Sequence, residues 1–272
     1  MSFYKQRFLF SFALVSFACI YNGLVSGHGM LLDPPGRSSR WRYNSTAPTN
    51  YDDNGLNCGG MSVQWEQNNG KCGLCGDNYA TPIPRANEIG GYYGGTGVIT
   101  KEFRDSYTAS VGVRITSNHL GYFHFDLCNL SEFGDESENC FAKYSLRFVD
   151  GSDRLYIGST GGLIVADLVW PEQLNCEHCV LRWTYTGGNN WGPCGNGTDA
   201  MGCGPQETFV NCADISIAFP TTDSPNVYRT ADISIAFPTT DSPNVYRTDV
   251  HSVEGNVNDE VPDYGYINEI QD

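Results

Sequence analysis

What most restricts the fold of this chain is the form of its apolar pattern. Beyond residue 27 no stretch holds the 3.6-residue period of a long helix, and short extended runs recur instead. They lie at 97–103, 110–117, 121–128, 162–170, 180–186 and 209–219, separated by clusters of Gly, Asn and Pro. Residues 180–186 and 214–219 alternate apolar with polar side chains, as strands with one buried face do. The pattern predicts an all-β fold, an immunoglobulin- or fibronectin-III-like β-sandwich with long disulfide-stapled loops and short helices.

The two ends read differently from this middle. Lys5 and Arg7 precede an apolar stretch from Phe8 to Ile20, and Val25-Ser26-Gly27 offers compact residues where a signal peptidase reads. Residues 1–27 are therefore expected to be a secretory leader, too short and wrongly flanked for a membrane anchor. Secretion to the extracellular space follows as the expected localisation. Losing Lys5 and Arg7 with the leader takes the formal charge from −15 to −17. Such acidity argues against nucleic acid and anionic membranes as partners.

Eleven cysteines fall to ten once Cys19 departs: Cys58, Cys72, Cys75, Cys128, Cys140, Cys176, Cys179, Cys194, Cys203 and Cys212. An even count in an oxidising compartment predicts disulfides, with the pairing left open. The Cys-x-x-Cys pairs at 72–75 and 176–179 are too far apart for a zinc ribbon. Residues 40–95, rich in Gly, Asn, Tyr and Cys, read as a long stapled loop region of the kind that carries function on a rigid scaffold. Asn44, Asn129 and Asn196 head glycosylation sequons.

Residues 213–230 recur without a change at 231–248. Two identical copies do not make a solenoid, and one copy suffices as a closing strand. The first, directly behind Cys212, is assigned that place; a recent duplication or a fault of sequence assembly would equally explain the second. Residues 249–272 carry seven acidic side chains and no Lys or Arg, which predicts a disordered tail. That tail lacks the apolar end of a lipid-anchor signal, so release is expected. The expected organisation is thus a leader at 1–27, a folded domain at 28–219, its end plus the duplication at 220–248, and the tail at 249–272.

Cleavage after Gly27 would make His28 the first residue, and an N-terminal histidine offers one metal ion both its amine and its ring Nδ1. A partner is needed. His119 and His124 have opposite parity along an extended chain and lie ~16 Å apart, so only one of them can join His28.

Four ordered motifs select that partner by resemblance: HGMLLDPPGRSSRWR at 28–42, CGG with WEQ and KCGLCGD across 58–77, NHLGYF at 118–123, and QETFVNCADI at 206–215. Together they resemble the auxiliary activity family fifteen lytic polysaccharide monooxygenases and, more loosely, bacterial and viral members that act on chitin. The likeness covers residues 28–219. It implies one copper ion held by His28 and His119, with Phe209 at the axial position and Glu207 as an acid near the distal oxygen site. Ser117 falls where relatives place a small residue beside the axial face, and Trp65 where they expose an aromatic sugar platform. Three nitrogen donors suit tetragonal Cu(II) and tolerate Cu(I), and an amine of ordinary pKa near ~7.7 deprotonates cheaply at neutral pH.

The implied activity is oxidative cleavage of crystalline chitin, cellulose or both by a monomer, with O2 or H2O2 as oxidant and an external electron donor. Trp170, Trp183 and Trp191 read as core or loop packing. His124 on its strand, His178 in a Cys-x-His-Cys loop and His251 in the tail read as structural. The rival from another class is a secreted copper- or polysaccharide-binding protein that uses the same two histidines without turnover. A glycoside hydrolase would need two opposed carboxylates, and no spacing pairs them here.

Overall fold

Phe123 and Phe125 are wholly buried, whereas Tyr122 and His124, which alternate with them, are partly exposed. That alternation is what a sheet with one face on a core requires. Each such buried side chain contributes about 2 kcal/mol of apolar burial. The computed structural model describes residues 27–172 and 174–219. The expected leader to residue 26, the duplicated copy, the acidic tail and His251 lie outside the described residues.

In chain order the strands are β1 (His28–Asp33), β2 (Lys101–Arg104), β3 (Thr108–Ser117), β4 (Tyr122–Asn129), β5 (Arg147–Phe148) and β6 (Leu155–Tyr156). They continue with β7 (Gly162–Val169), β8 (Cys176–Thr186), β9 (Trp191–Pro193), β10 (Asp199–Met201) and β11 (Thr208–Ala218). One sheet runs β1-β3-β7-β5 and the other β2-β11-β8-β4-β6, with β9 and β10 forming a separate hairpin. Every pairing among these strands is antiparallel except β2 with β11. Leu31, Val111, Val113, Ile115 and Leu168 from one sheet meet Phe123, Phe125, Trp183, Tyr185, Phe209 and Ile215 from the other. The two helices, α1 (Leu130–Phe133) and α2 (Glu138–Lys143), are short. This is the expected immunoglobulin-like sandwich.

The long loop region packs on the outer face of the five-stranded sheet. Cys75 and Cys212 bond across 137 residues, and Cys58–Cys72 staples the loop to itself. Cys128–Cys140, Cys176–Cys179 and Cys194–Cys203 account for the other cysteines. A second apolar cluster of Cys75, Cys212, Cys128, Cys140, Phe141 and Val180 fills this interface. Buried Arg37 locks it: its guanidinium grips both carboxylate oxygens of Asp214 at 2.8 Å and Oε2 of Glu136 at 2.9 Å.

Several expectations are corrected. His178 belongs to strand β8 rather than a loop, its Nε2 2.8 Å from Asp214 Oδ1. Trp191 is 67% exposed on the hairpin instead of packed, because a three-residue strand cannot turn it onto either core. Asn129 is buried, and its Oδ1 caps α1 by accepting from Ser131 N–H, so a glycan there has no room. Asn44 and Asn196 are exposed, each accepting the hydroxyl of its own sequon threonine.

Candidate metal centre

Strand register brings the two histidines together. His28 begins β1 opposite Ser117, the last residue of β3. Two residues later the chain turns through His119 into β4. The residues around each histidine fit that turn. A Cβ on Gly29 would sit 2.7 Å from Ile115 Cδ1 and 3.0 Å from the Trp183 ring, so the residue after His28 must be small. Gly121 has φ +76, and a Cβ there would collide with the Thr186 carbonyl at 2.0 Å. The Asn118 side chain closes the turn by accepting from Leu120 N–H.

His119 itself is buried at 4% exposure. Its N–H donates to the Tyr185 hydroxyl at 2.7 Å and its carbonyl accepts from Gly188. Burial pushes the Tyr185 phenol up to about 12 against the lowering effect of the His119 N–H, so the phenol stays neutral. Neither ring nitrogen of His119 makes a hydrogen bond. Nδ1 lies 3.0 Å from Glu207 Oε2, within ion-pair distance though off the geometry of a hydrogen bond. A buried polar atom without a partner costs about 1–3 kcal/mol, which marks Nε2 as a donor awaiting an acceptor of its lone pair.

The chain before His28 points into the same space. A Cβ on Gly27 would fall 2.9 Å from His119 Nδ1 and 3.0 Å from Phe209 Cε2, and Gly27 N–H donates to Glu207 Oε2 at 3.0 Å. The main-chain nitrogen side of His28 therefore faces His119. Phe209 is fully buried at the start of β11, its ring 6.4 Å from that of His28 and stacked 5.7 Å from Tyr185. It supplies no donor atom. No group of three or more His, Cys, Asp or Glu able to hold a metal occurs among the described residues. The donors on hand are two imidazoles and a main-chain nitrogen, a set that fits copper.

Beside His119 and Glu207 opens a pocket of about 320 Å³, lined among others by Asn57, Gly59, Met61, Asn189 and Asn190. Trp65, expected as a platform, sits in a turn of π-helix (Val63–Gln67) and is 37% exposed, its indole N–H donating to the Gln206 carbonyl. Ser117 is present as the register partner of His28. The asparagines were not foreseen, because a lone amide carries no ligand or spacing signal of its own, even beside a motif as Asn57 is beside Cys58. Asn57 donates to Glu207 Oε1 at 3.1 Å.

The family model described as lytic polysaccharide mono-oxygenase, cellulose-degrading, matches residues 28–215 and so starts on His28. The chain belongs to the lytic polysaccharide monooxygenases. Within them it belongs to auxiliary activity family 15: it is 46% identical to the lytic polysaccharide monooxygenase AA15 from Thermobia domestica solved in the Cu(I) state, over 70% of this chain and 98% of that one, with a TM-score of 0.66. A cellulose-active lytic polysaccharide monooxygenase in complex with copper is 13% identical over 70% of this chain and 98% of its own, with a TM-score of 0.33. An entomopoxvirus fusolin is 13% identical over 76% and 84%, also with a TM-score of 0.33. No curated protein sequence matches.

Proposed function

We propose that this chain is a secreted copper monooxygenase that cleaves glycosidic bonds at the surface of crystalline chitin or cellulose. The observation that carries the reading is the convergence of His28 on a buried His119 whose ring nitrogens lack hydrogen bonds. With the leader removed, the His28 amine and Nδ1 and the His119 Nε2 would hold one copper. That copper supplies one-electron redox chemistry toward O2 or H2O2, with electrons from an external donor.

The chain's own residues do the rest. Phe209 closes one side of the site with an apolar ring and keeps water from it. The turn at Asn118–Gly121 fixes the His119 ring in orientation. Glu207 sets its carboxylate 3.0 Å from the His119 ring, beside the site. Trp65 offers a partly exposed indole face on which a pyranose ring can stack. Secretion is supported by the disulfides, and no helix among the described residues is long and apolar enough to cross a membrane.

The test is incubation of the copper-loaded protein beginning at His28 with β-chitin and with cellulose plus a reductant, followed by mass spectrometry of soluble products. Oxidised oligosaccharides that vanish without copper and in a His28→Ala variant are expected, and the polymer that yields them is the substrate. Tight copper binding with no oxidised product from either polymer would instead make this a binding protein.

A further inference from the structure

Resting on the proposed copper site, the geometry points to Asn57 as a positioning residue that fixes the Glu207 carboxylate against His119. The two carboxylate oxygens face different ways. Oε1 accepts from the Asn57 side-chain amide at 3.1 Å, while Oε2 lies 3.0 Å from His119 Nδ1. The Asn57 contact engages the oxygen turned away from the ring and so sets which oxygen meets the imidazole.

Asn57 is itself firmly held, which a positioning residue must be. Its N–H donates to the Gly55 carbonyl, and its own carbonyl accepts from Gly60 N–H. The next residue, Cys58, has φ +61, is fully buried, and is tied both by its disulfide to Cys72 and by its N–H to Gly76. The segment also runs alongside the strand that carries Glu207: Val210 N–H donates to the Leu56 carbonyl, and Cys58 Sγ lies 3.4 Å from the Thr208 carbonyl. Leu56, Asn57 and Cys58 thus meet Val210, Glu207 and Thr208 in three consecutive contacts. The stapled loop, which supplies no ligand to the metal, sets the orientation of one that does.

Partners that orient a ligating histidine tune metal affinity by about 10–100-fold. The test measures Cu(II) affinity and the Cu(II) electron paramagnetic resonance spectrum of the full chain from His28. Four proteins are compared: unsubstituted, Asn57→Leu, Glu207→Gln, and the two substitutions combined. Asn57→Leu is expected to weaken copper binding about tenfold and to shift the spectrum, whereas adding it to Glu207→Gln changes neither further. Asn57→Ser, smaller and too short to reach Oε1, serves if the leucine variant fails to fold, and should reproduce the loss. An equal loss in both backgrounds would overturn the inference, because Asn57 would then act through loop packing. An unchanged affinity and spectrum in both Asn57 variants would overturn it as well. Should the unsubstituted protein bind no copper, the proposed function falls and this reading with it.

Discussion

Gly29 shows how a single residue places His28, the proposed copper ligand. The close approach of Ile115 and Trp183 to its Cα leaves His28 one path along the edge of β3. Gly29→Ala inserts a methyl group into that contact and should cost about 1–3 kcal/mol by overpacking, read as a lowered midpoint in denaturant. It should also weaken copper binding, since the strand must shift at the residue beside the ligand. An unaltered midpoint would mean the contact is softer than described. A second prediction at this scale separates the three sequons. Peptide mapping of the secreted protein should find glycan at Asn44 and Asn196 and none at Asn129, whose side chain is buried and caps a helix. Glycan at Asn129 would require α1 to unfold around it.

At the scale of elements, β11 joins the site to the loop region through Asp214. Burial raises the pKa of that carboxyl, but the hydrogen bonds and charge of Arg37 and His178 outweigh it, and the group sits below its ordinary range. A depressed carboxyl stabilises the fold fully above its unfolded pKa of about 3.9, and that contribution is lost as pH falls through the lower folded value. Glu136 runs the other way: burial raises it, against Arg37 and the Ile89 N–H, so ionising it costs the fold stability as pH rises through its unfolded value. Asp214→Asn should therefore lower stability near neutrality and flatten its decline below about pH 4, measured by thermal unfolding across pH. Arg37→Met, which strands two buried carboxylates, should cost about 3–5 kcal/mol.

The same elements show what the sequence discloses. β3, β4, β7, β8 and β11 follow from alternation at 180–186 and 214–219 or from extended runs bounded by turns, and the structure places them within a few residues of expectation. β1 does not, because HGMLLD lacks alternation: Met30 and Leu31 are both buried, as the strand packs against loop and core alike. The hairpin of β9 and β10 is three residues a side and is set by Cys194–Cys203, which local pattern cannot reveal. Of the site, His28 is legible from the leader alone, and His119, Phe209 and Glu207 only through ordered motifs. Asn57 and the pocket beside it arise from contacts 150 residues apart, which no local rule encodes.

At the scale of the whole molecule, five disulfides serve unequal purposes. Cys75–Cys212 closes 137 residues, and Cys194–Cys203 closes 9. Loop-closure entropy assigns the first about 5 kcal/mol and the second about 3. Replacing Cys75 and Cys212 together by Ser should therefore destabilise the protein more than replacing Cys194 and Cys203. Loss of the long bridge also releases the loop that carries Asn57 and should weaken copper binding, whereas loss of the hairpin bridge should leave it nearly unchanged. Equal effects on stability would show that strain or local packing, rather than chain entropy, decides.

The account rests on one copper held jointly by the amine and ring of His28 and the ring of His119. Pulsed electron paramagnetic resonance of the Cu(II)-loaded protein beginning at His28 tests this most directly, by counting coordinated nitrogens before and after His119→Ala. Three nitrogens falling to two, with copper affinity reduced, is the predicted result. A spectrum and affinity that do not change when the His119 ring is removed would contradict it.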